Sequence, residues 1–191
     1  MKNQFIEEKE ITYTGHELAP HWIYKNFHLQ GDAIVGFIGE CDVKITEMVD
    51  IADVLEDSPI YSKKMLHFII EHFNIPLMEG VLRQRLLVNI AKEVIQSCLA
   101  DNKKIRRQGD DLFFGSGKLS VSIATKSITS VLIHLGINID AAGAPVKAAG
   151  LTSDMGLDNI SRIAHDIINN YCSESEQVLL ASCKVRGVVE A

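Results

Sequence analysis

Two runs near the middle of the chain alternate apolar and polar positions with a period of two. Over residues 118–124, Leu119, Val121 and Ile123 fall on one face, and Lys118, Ser120, Ser122 and Ala124 on the other. Over residues 131–139, Val131, Ile133, Leu135, Ile137 and Ile139 share a face opposite Leu132, His134, Gly136 and Asn138. Such alternation predicts half-buried strands, and residues 125–129 suit a hairpin loop between them. The second faces are small and polar: Lys118, Ser120, Ser122, His134 and Gly136. Small residues let a ligand approach a sheet, and a lysine supplies a point charge for a carboxylate or phosphate. The same faces would also serve as the wet side of an antiparallel sheet.

Elsewhere the apolar period changes to that of a helix. Residues 76–100 place Leu82, Leu86, Leu87, Ile90, Ala91, Val94 and Cys98 on one stripe. Arg83 and Arg85 near its start offer planar forks that could clamp an anion, or form a solvated first turn. Residues 157–172 predict a second helix, with Asp158 as N-cap. Ser173 and Glu176 match a capping box that would open a further helix through residues 178–183. Residues 33–47 read as a strand pair or one long bent strand, with Gly36 and Gly39 marking a bulge or a close approach. Residues 1–12 suit an edge strand or a frayed end, residues 48–57, with Asp50, Asp53, Glu56 and Asp57, a solvated acidic helix or a magnesium-binding loop, and residues 105–108 a strand entering a turn at 109–111. The order strands, helix, strands, helices predicts an α+β fold, a mainly antiparallel or mixed sheet backed by helices. A chain of 191 residues suits a single domain over 1–191.

The segment MLHFIIEHF at residues 65–73 carries His67, Glu71 and His72. It resembles the inverted zinc-protease pattern His-x-x-Glu-His but is one residue too long. On a strand His67 and Glu71 share a face opposite His72. A buried strand is the favoured reading, and a metal-dependent hydrolase around these three residues is an alternative. No residue is assigned as a metal ligand. The net charge of −6 argues against general nucleic-acid binding, which needs a basic field. The four cysteines form no CxxC pair, so a zinc knuckle is not expected. Reduced thiols, a charged opening stretch without an apolar core, and the lack of any bilayer-length apolar run predict a cytoplasmic protein with no membrane partner.

A resemblance adds to this reading. Asp110, Asp111 and Leu112, then Lys118, Leu119 and Ser120, then Gly136, Ile137 and Asn138 resemble the core of the biotin and lipoate protein ligases over roughly residues 80–150. The whole chain is also similar to an uncharacterised family of archaeal and bacterial proteins, through MVDIADVL, MLHFIIEHF, LRQRLL, GDDLFF and KLSVSIAT. The ligase resemblance implies a ligase or acyltransferase acting on a small carboxylic acid or its adenylate, with ATP and Mg²⁺ as cofactors and an acceptor protein as a partner. Lys118 and Asp111 would be the catalytic pair. Asp110, Ser120, Ser122, His134 and Gly136 would line the ligand site. The Gly-Arg-Gly-Arg-like loop of biotin ligases has no counterpart between residues 30 and 80, and Val121 stands where lipoate ligases carry a glycine. That departure favours an alternative, a non-catalytic relative that keeps the pocket and binds a small molecule or a partner. Self-association into a homo-oligomer stays open.

Overall fold

The computed structural model describes residues 1–57 and 59–188. Its centre is a mixed five-stranded sheet in the order β1-β2-β3-β8-β7. These strands span Lys2–Ile6, Ala33–Val43, Ile60–Phe73, Ser130–Asp140 and Ser120–Lys126 respectively. β1 runs parallel to β2 and the other pairs are antiparallel. A small three-stranded sheet, β4 (Ile105–Gln108), β5 (Asp111–Phe114) and β6 (Gly117–Lys118), precedes β7. The α+β reading and the hairpin of β7 and β8 therefore hold.

β8, and β3 from Met65 to His72, are buried on both faces. Leu66, Phe68 and Ile70 of β3 enter one apolar cluster with Val131, Ile133, Leu135 and Ile137 of β8. Two helices cover that side, α3 (Leu77–Ser97) and α4 (Ile160–Cys183). Met65 and Ile69 enter a second cluster on the opposite face, under the chain that holds Tyr13, Ile23 and the short helix α1 (Trp22–Phe27). Burial on both faces explains why these strands read as nearly continuous apolar runs.

Two glycines set close approaches. A Cβ on Gly80 would run into Val131, so the missing side chain seats α3 against β8. A Cβ on Gly39 would run into the Ile11 carbonyl oxygen. Beside it the β2–β3 register shifts between Gly39 and Cys41, and Tyr13 bridges in parallel to Cys41. The bulge and close approach expected near Gly39 are both present. They lay residues 11–13 along β2 and hold Tyr13 over the sheet.

The helices differ in detail from the pattern. Leu82 is 63% exposed, and the buried stripe of α3 runs through Leu87, Val88, Ala91, Val94 and Ile95. The capping box at Ser173 does not open a helix. α4 continues unbroken through it, and Ser173 Oγ accepts from Gln177 Nε2 at 3.1 Å within the helix. No glycine or proline interrupts the stretch, so the backbone there is already satisfied and needs no cap. The N-cap is Asn159, which accepts from the Arg162 amide at 3.1 Å, in place of Asp158.

The Gly39 contact yields a prediction. Gly39→Ala should destabilise the protein by about 1–3 kcal/mol or more, because backbone must move to admit the methyl group. Gly187→Ala, with no atom within 4 Å of the added carbon, should be neutral. Urea unfolding midpoints of the two variants check this.

Candidate functional site

Lys118 ends β6, and the alternation breaks just after it. Leu119 lies between β6 and β7, outside either strand, and is fully buried. Its amide donates to the Leu112 carbonyl at 2.7 Å, and its carbonyl accepts from the Asn138 amide at 2.9 Å. The Lys118 backbone is held from two further sides. Its amide donates to Lys147 O and its carbonyl accepts from Ala149 N, both at 2.9 Å, and Asn138 Nδ2 donates to the same carbonyl at 3.2 Å. The side chain is thereby fixed against a salt bridge, Nζ to Asp111 Oδ2 at 3.0 Å.

Two adjoining hollows, of about 160 Å³ and 220 Å³, lie against the sheet face opposite α3 and α4, and Lys118, Asp53, Ile60 and Val121 line both. Asp53 comes from α2 (Ile51–Leu55), the acidic helix expected from residues 48–57, whose N-cap Asp50 accepts from Ala52 N at 2.9 Å. The first hollow has walls from Tyr13, Cys41, Val43, Ile123 and His134. The second runs past Tyr61, Met65 and Asn138 to the 144–148 loop. Glu47, Asp50, Asp53, Asp110 and Asp111 border the first hollow, so its lining carries five carboxylates and one lysine.

The electrostatics follow from burial. Desolvation raises the carboxyl of Asp111 above its ordinary range, with the Lys118 ion pair opposing. Desolvation also raises Asp53, helped by the neighbouring Asp50 charge. The Cys41 thiol is pushed up to about 12 by burial, then by Asp42, so it is a poor nucleophile. Burial likewise raises the Tyr13 phenol.

His134 lines the first hollow and stacks on Tyr13, with centroids 3.8 Å apart and planes 15° apart. Its Nε2 lies 3.1 Å from His67 Nδ1, and His67 Nε2 lies 3.3 Å from the Gly39 carbonyl. The carbonyl can only accept, so His67 carries its proton on Nε2, and its Nδ1 accepts a hydrogen bond from the Nε2–H of His134. Burial pushes His67 down to about 3 and His134 well below its ordinary value, the latter also through His67.

The strand register separates residues that the sequence pattern had joined. Val121 pairs with Gly136 and Ile123 with His134, while Ser120 pairs with Ile137 and Ser122 with Leu135. Cross-strand partners share a face, so Ser120 and Ser122 turn toward the helices. Ser120 Oγ accepts from Leu112 N at 2.9 Å. Ser122 Oγ accepts from Gln84 Nε2 at 3.0 Å and donates to His134 O at 2.9 Å. Ser122 is nonetheless in the lining of the first hollow and Ser120 in that of the second. Gly136 does lie on the cavity face, but Met65 Cε sits 2.8 Å from where its Cβ would be, so methionine fills that space. Asp110 is tied to α3 by Gln84 Nε2 at 3.0 Å and lies 3.5 Å from Arg85.

The two arginines form no clamp. Arg83 pairs with Glu79 at 2.7 Å while Arg85 turns to Asp110, because residues two apart on a helix point in different directions. The third constellation also comes apart. His67 is buried beside His134, whereas His72 faces the other side of the sheet, between Asp32 at 2.8 Å and Tyr171 at 2.9 Å. Glu71 binds the His21 amide and Ser130 Oγ. Among the described residues no three His, Cys, Asp or Glu side chains gather to hold a metal ion. The hydrolase reading of His67, Glu71 and His72 is withdrawn on this geometry. Sequence reasoning missed Gln84 and Tyr13, and named Asp53 only within an acidic segment that could bind magnesium, apart from Lys118. Gln84, a polar residue on an otherwise apolar helix stripe, was visible. Tyr13 and Asp53 reach the site only through folding of distant segments.

The family described as "Domain of unknown function (DUF366)" matches residues 1–186. An uncharacterized protein of Methanocaldococcus jannaschii is 42% identical over 180 residues, 91% of this chain and 79% of that protein. A protein of unknown function from Pyrococcus horikoshi superposes with a TM-score of 0.90 at 35% identity, covering 98% of this chain and 99% of the other. More distantly, the biotin protein ligase of Aquifex aeolicus in complex with biotin and ATP gives a TM-score of 0.56 at 12% identity, over 90% of this chain and 69% of the ligase. A candidate lipoate protein ligase of T. acidophilum with bound lipoic acid gives 0.54 at 12% identity, over 93% and 87%. These two show a shared biotin/lipoate ligase-like fold. No described helix is long and apolar enough to cross a membrane.

The histidine pair predicts a pH dependence of stability. His67, near 3 in the fold against about 6.5 in the unfolded chain, binds fewer protons when folded. Its contribution is therefore full above about pH 6.5 and is lost as pH falls toward 3, by up to about 1.4 kcal/mol per pH unit. His134 acts in the same direction. Thermal unfolding of His134→Phe should lose part of this slope between pH 6.5 and 4.5 relative to wild type.

Proposed function

From the premise that this chain belongs to the DUF366 family, we propose that it binds a small carboxylic acid across the Lys118 cleft and activates or transfers its acyl group. One observation carries the reading: the Lys118 ammonium stands where two hollows meet. Such a junction suits a ligand with an apolar part in the first hollow, an anionic group at the lysine, and a second part in the other hollow. A carboxylate or acyl-adenylate has that form. Lys118 would stabilise negative charge as it develops at the reacting group. Asp111 would hold the lysine before the ligand arrives. Because burial already disfavours the ionised Asp111, an incoming carboxylate can replace it at Lys118, with Asp111 taking up a proton where no cation accompanies the ligand and staying ionised where one does.

The donor set bears on ATP and Mg²⁺. A lining of five carboxylates and one lysine repels a bare nucleotide and suits one that arrives with a hard cation. Mg²⁺ commonly takes one or two carboxylates and completes its shell with phosphates and water. Asp53 and Asp111, flanking Lys118, are the residues that would hold it there. An acceptor protein would complete a ligase reaction.

A second reading, binding without turnover, has its own observation. Among the described residues no arginine lines either hollow, and α2 stands in the region that holds no arginine-rich loop.

ATP–pyrophosphate exchange with Mg²⁺ and a set of acids (biotin, lipoate, short fatty acids, amino acids) tests the proposal. Wild type should exchange only with an acid present, and Lys118→Ala should lower the rate about 100-fold or more. No exchange and no ATP-independent acyl transfer, from protein that still binds one of the acids, would leave the binding reading in its place.

A further inference from the structure

At the far end of β3 from Lys118, a third hollow of about 280 Å³ has Glu71 in its wall. Glu71 is 2% exposed. Its Oε1 accepts both of its hydrogen bonds, from the His21 amide at 2.9 Å and from Ser130 Oγ at 2.6 Å. Its Oε2 accepts none from the described residues. No described lysine, arginine or histidine side chain forms an ion pair with it, whereas the buried histidines of the same strand are partnered, His67 by His134 and His72 by Asp32. A buried carboxylate without a countercharge is costly, and native structures pair such groups.

Apart from Gln30 and Gly31, the rest of the hollow is aromatic and apolar. His21 stacks on Phe73 with centroids 5.7 Å apart, and Tyr24, 44% exposed, stands at the same wall with Leu29. His21 holds a left-handed backbone, φ 63°, which turns its amide onto the carboxylate. Backbone held in that sparsely populated region gathers at ligand sites. We propose that this hollow, walled by Glu71, His21, Tyr24 and Phe73, binds an alkylammonium group. A single carboxylate among apolar and aromatic walls does not offer the several oxygen ligands that a hard metal ion takes. It does match an organic cation, whose charge meets the acid and whose methylene or methyl groups meet rings that attract cations through their quadrupole.

Titration of ¹⁵N-labelled protein with butylammonium, choline and N-acetyl-lysine methylamide tests it, with 3,3-dimethyl-1-butanol as the uncharged isostere of choline. Saturable shifts confined to residues 21–31 and 71–73 are expected with at least one cation and not with the isostere. The tightest of the three distinguishes a free small amine from a protein-borne lysine. Glu71→Gln, whose amide oxygen can keep both hydrogen bonds, should weaken binding by about tenfold or more. Tyr24→Ala, at an exposed position that leaves the core intact, should weaken it about two- to fivefold. Three results would each overturn the proposal: no saturable shift with any cation, equal binding of the isostere, or undiminished affinity in both variants. Should Glu71→Gln misfold, the isostere comparison and Tyr24→Ala decide.

Discussion

A strand with both faces out of water must find a partner inside the protein for every polar side chain it carries, and β3 is such a strand from Met65 to His72. Of its inward polar groups, His67 binds His134 and the Gly39 carbonyl, Glu71 binds Ser130 and the His21 amide, and His72 binds Asp32 and Tyr171. These bonds join β3 to β8, to the bulge in β2, to the start of α1 and to α4. The three residues that suggested a metal centre are instead the polar ties between the layers. The layers in turn fix what stands over the sheet. Gly39 admits the 11–13 segment, that segment brings Tyr13 onto His134, and Tyr13 walls the first hollow.

The Lys118 cleft shows a different balance. Its lysine is anchored through the backbone on three sides, but its charge meets one carboxylate directly and four more around the same hollow. Burial disfavours the ionised forms of Asp111 and Asp53. The negative surroundings set this cleft apart from a simple anion pocket. They make the cation that accompanies any nucleotide, or a proton taken up by Asp111, part of binding.

Much of the fold was legible in the chain. The period of two over residues 131–139, the helical stripe following Pro76, and the glycines at 36 and 39 announced β8, α3 and the bulge. Each of these signals is local. The capping box at Ser173 was equally local and misled, because a cap matters only where a helix ends, and nothing ends α4 there. Arg83 and Arg85 were read as a pair from proximity in sequence, but helical geometry sends them to different partners.

The site was less legible, for a reason that lies in strand pairing. The sequence by itself determined that Lys118, Ser120, Ser122, His134 and Gly136 belong to two alternating strands, and that residues 110–112 lead into the first of them. It could not state which face of β7 meets which face of β8, since a shift of one residue exchanges every side chain between faces. The break at Leu119 and the pairing of Val121 with Gly136 decided this. They left Lys118 with His134 at the first hollow and turned Ser120 and Ser122 toward the helices. Tyr13, Asp53 and the chain around His21 reach the sheet from far along the sequence, held by contacts that only the tertiary structure supplies. Alternation is a property of one strand, whereas a site is a property of the register between strands and of the segments laid across them.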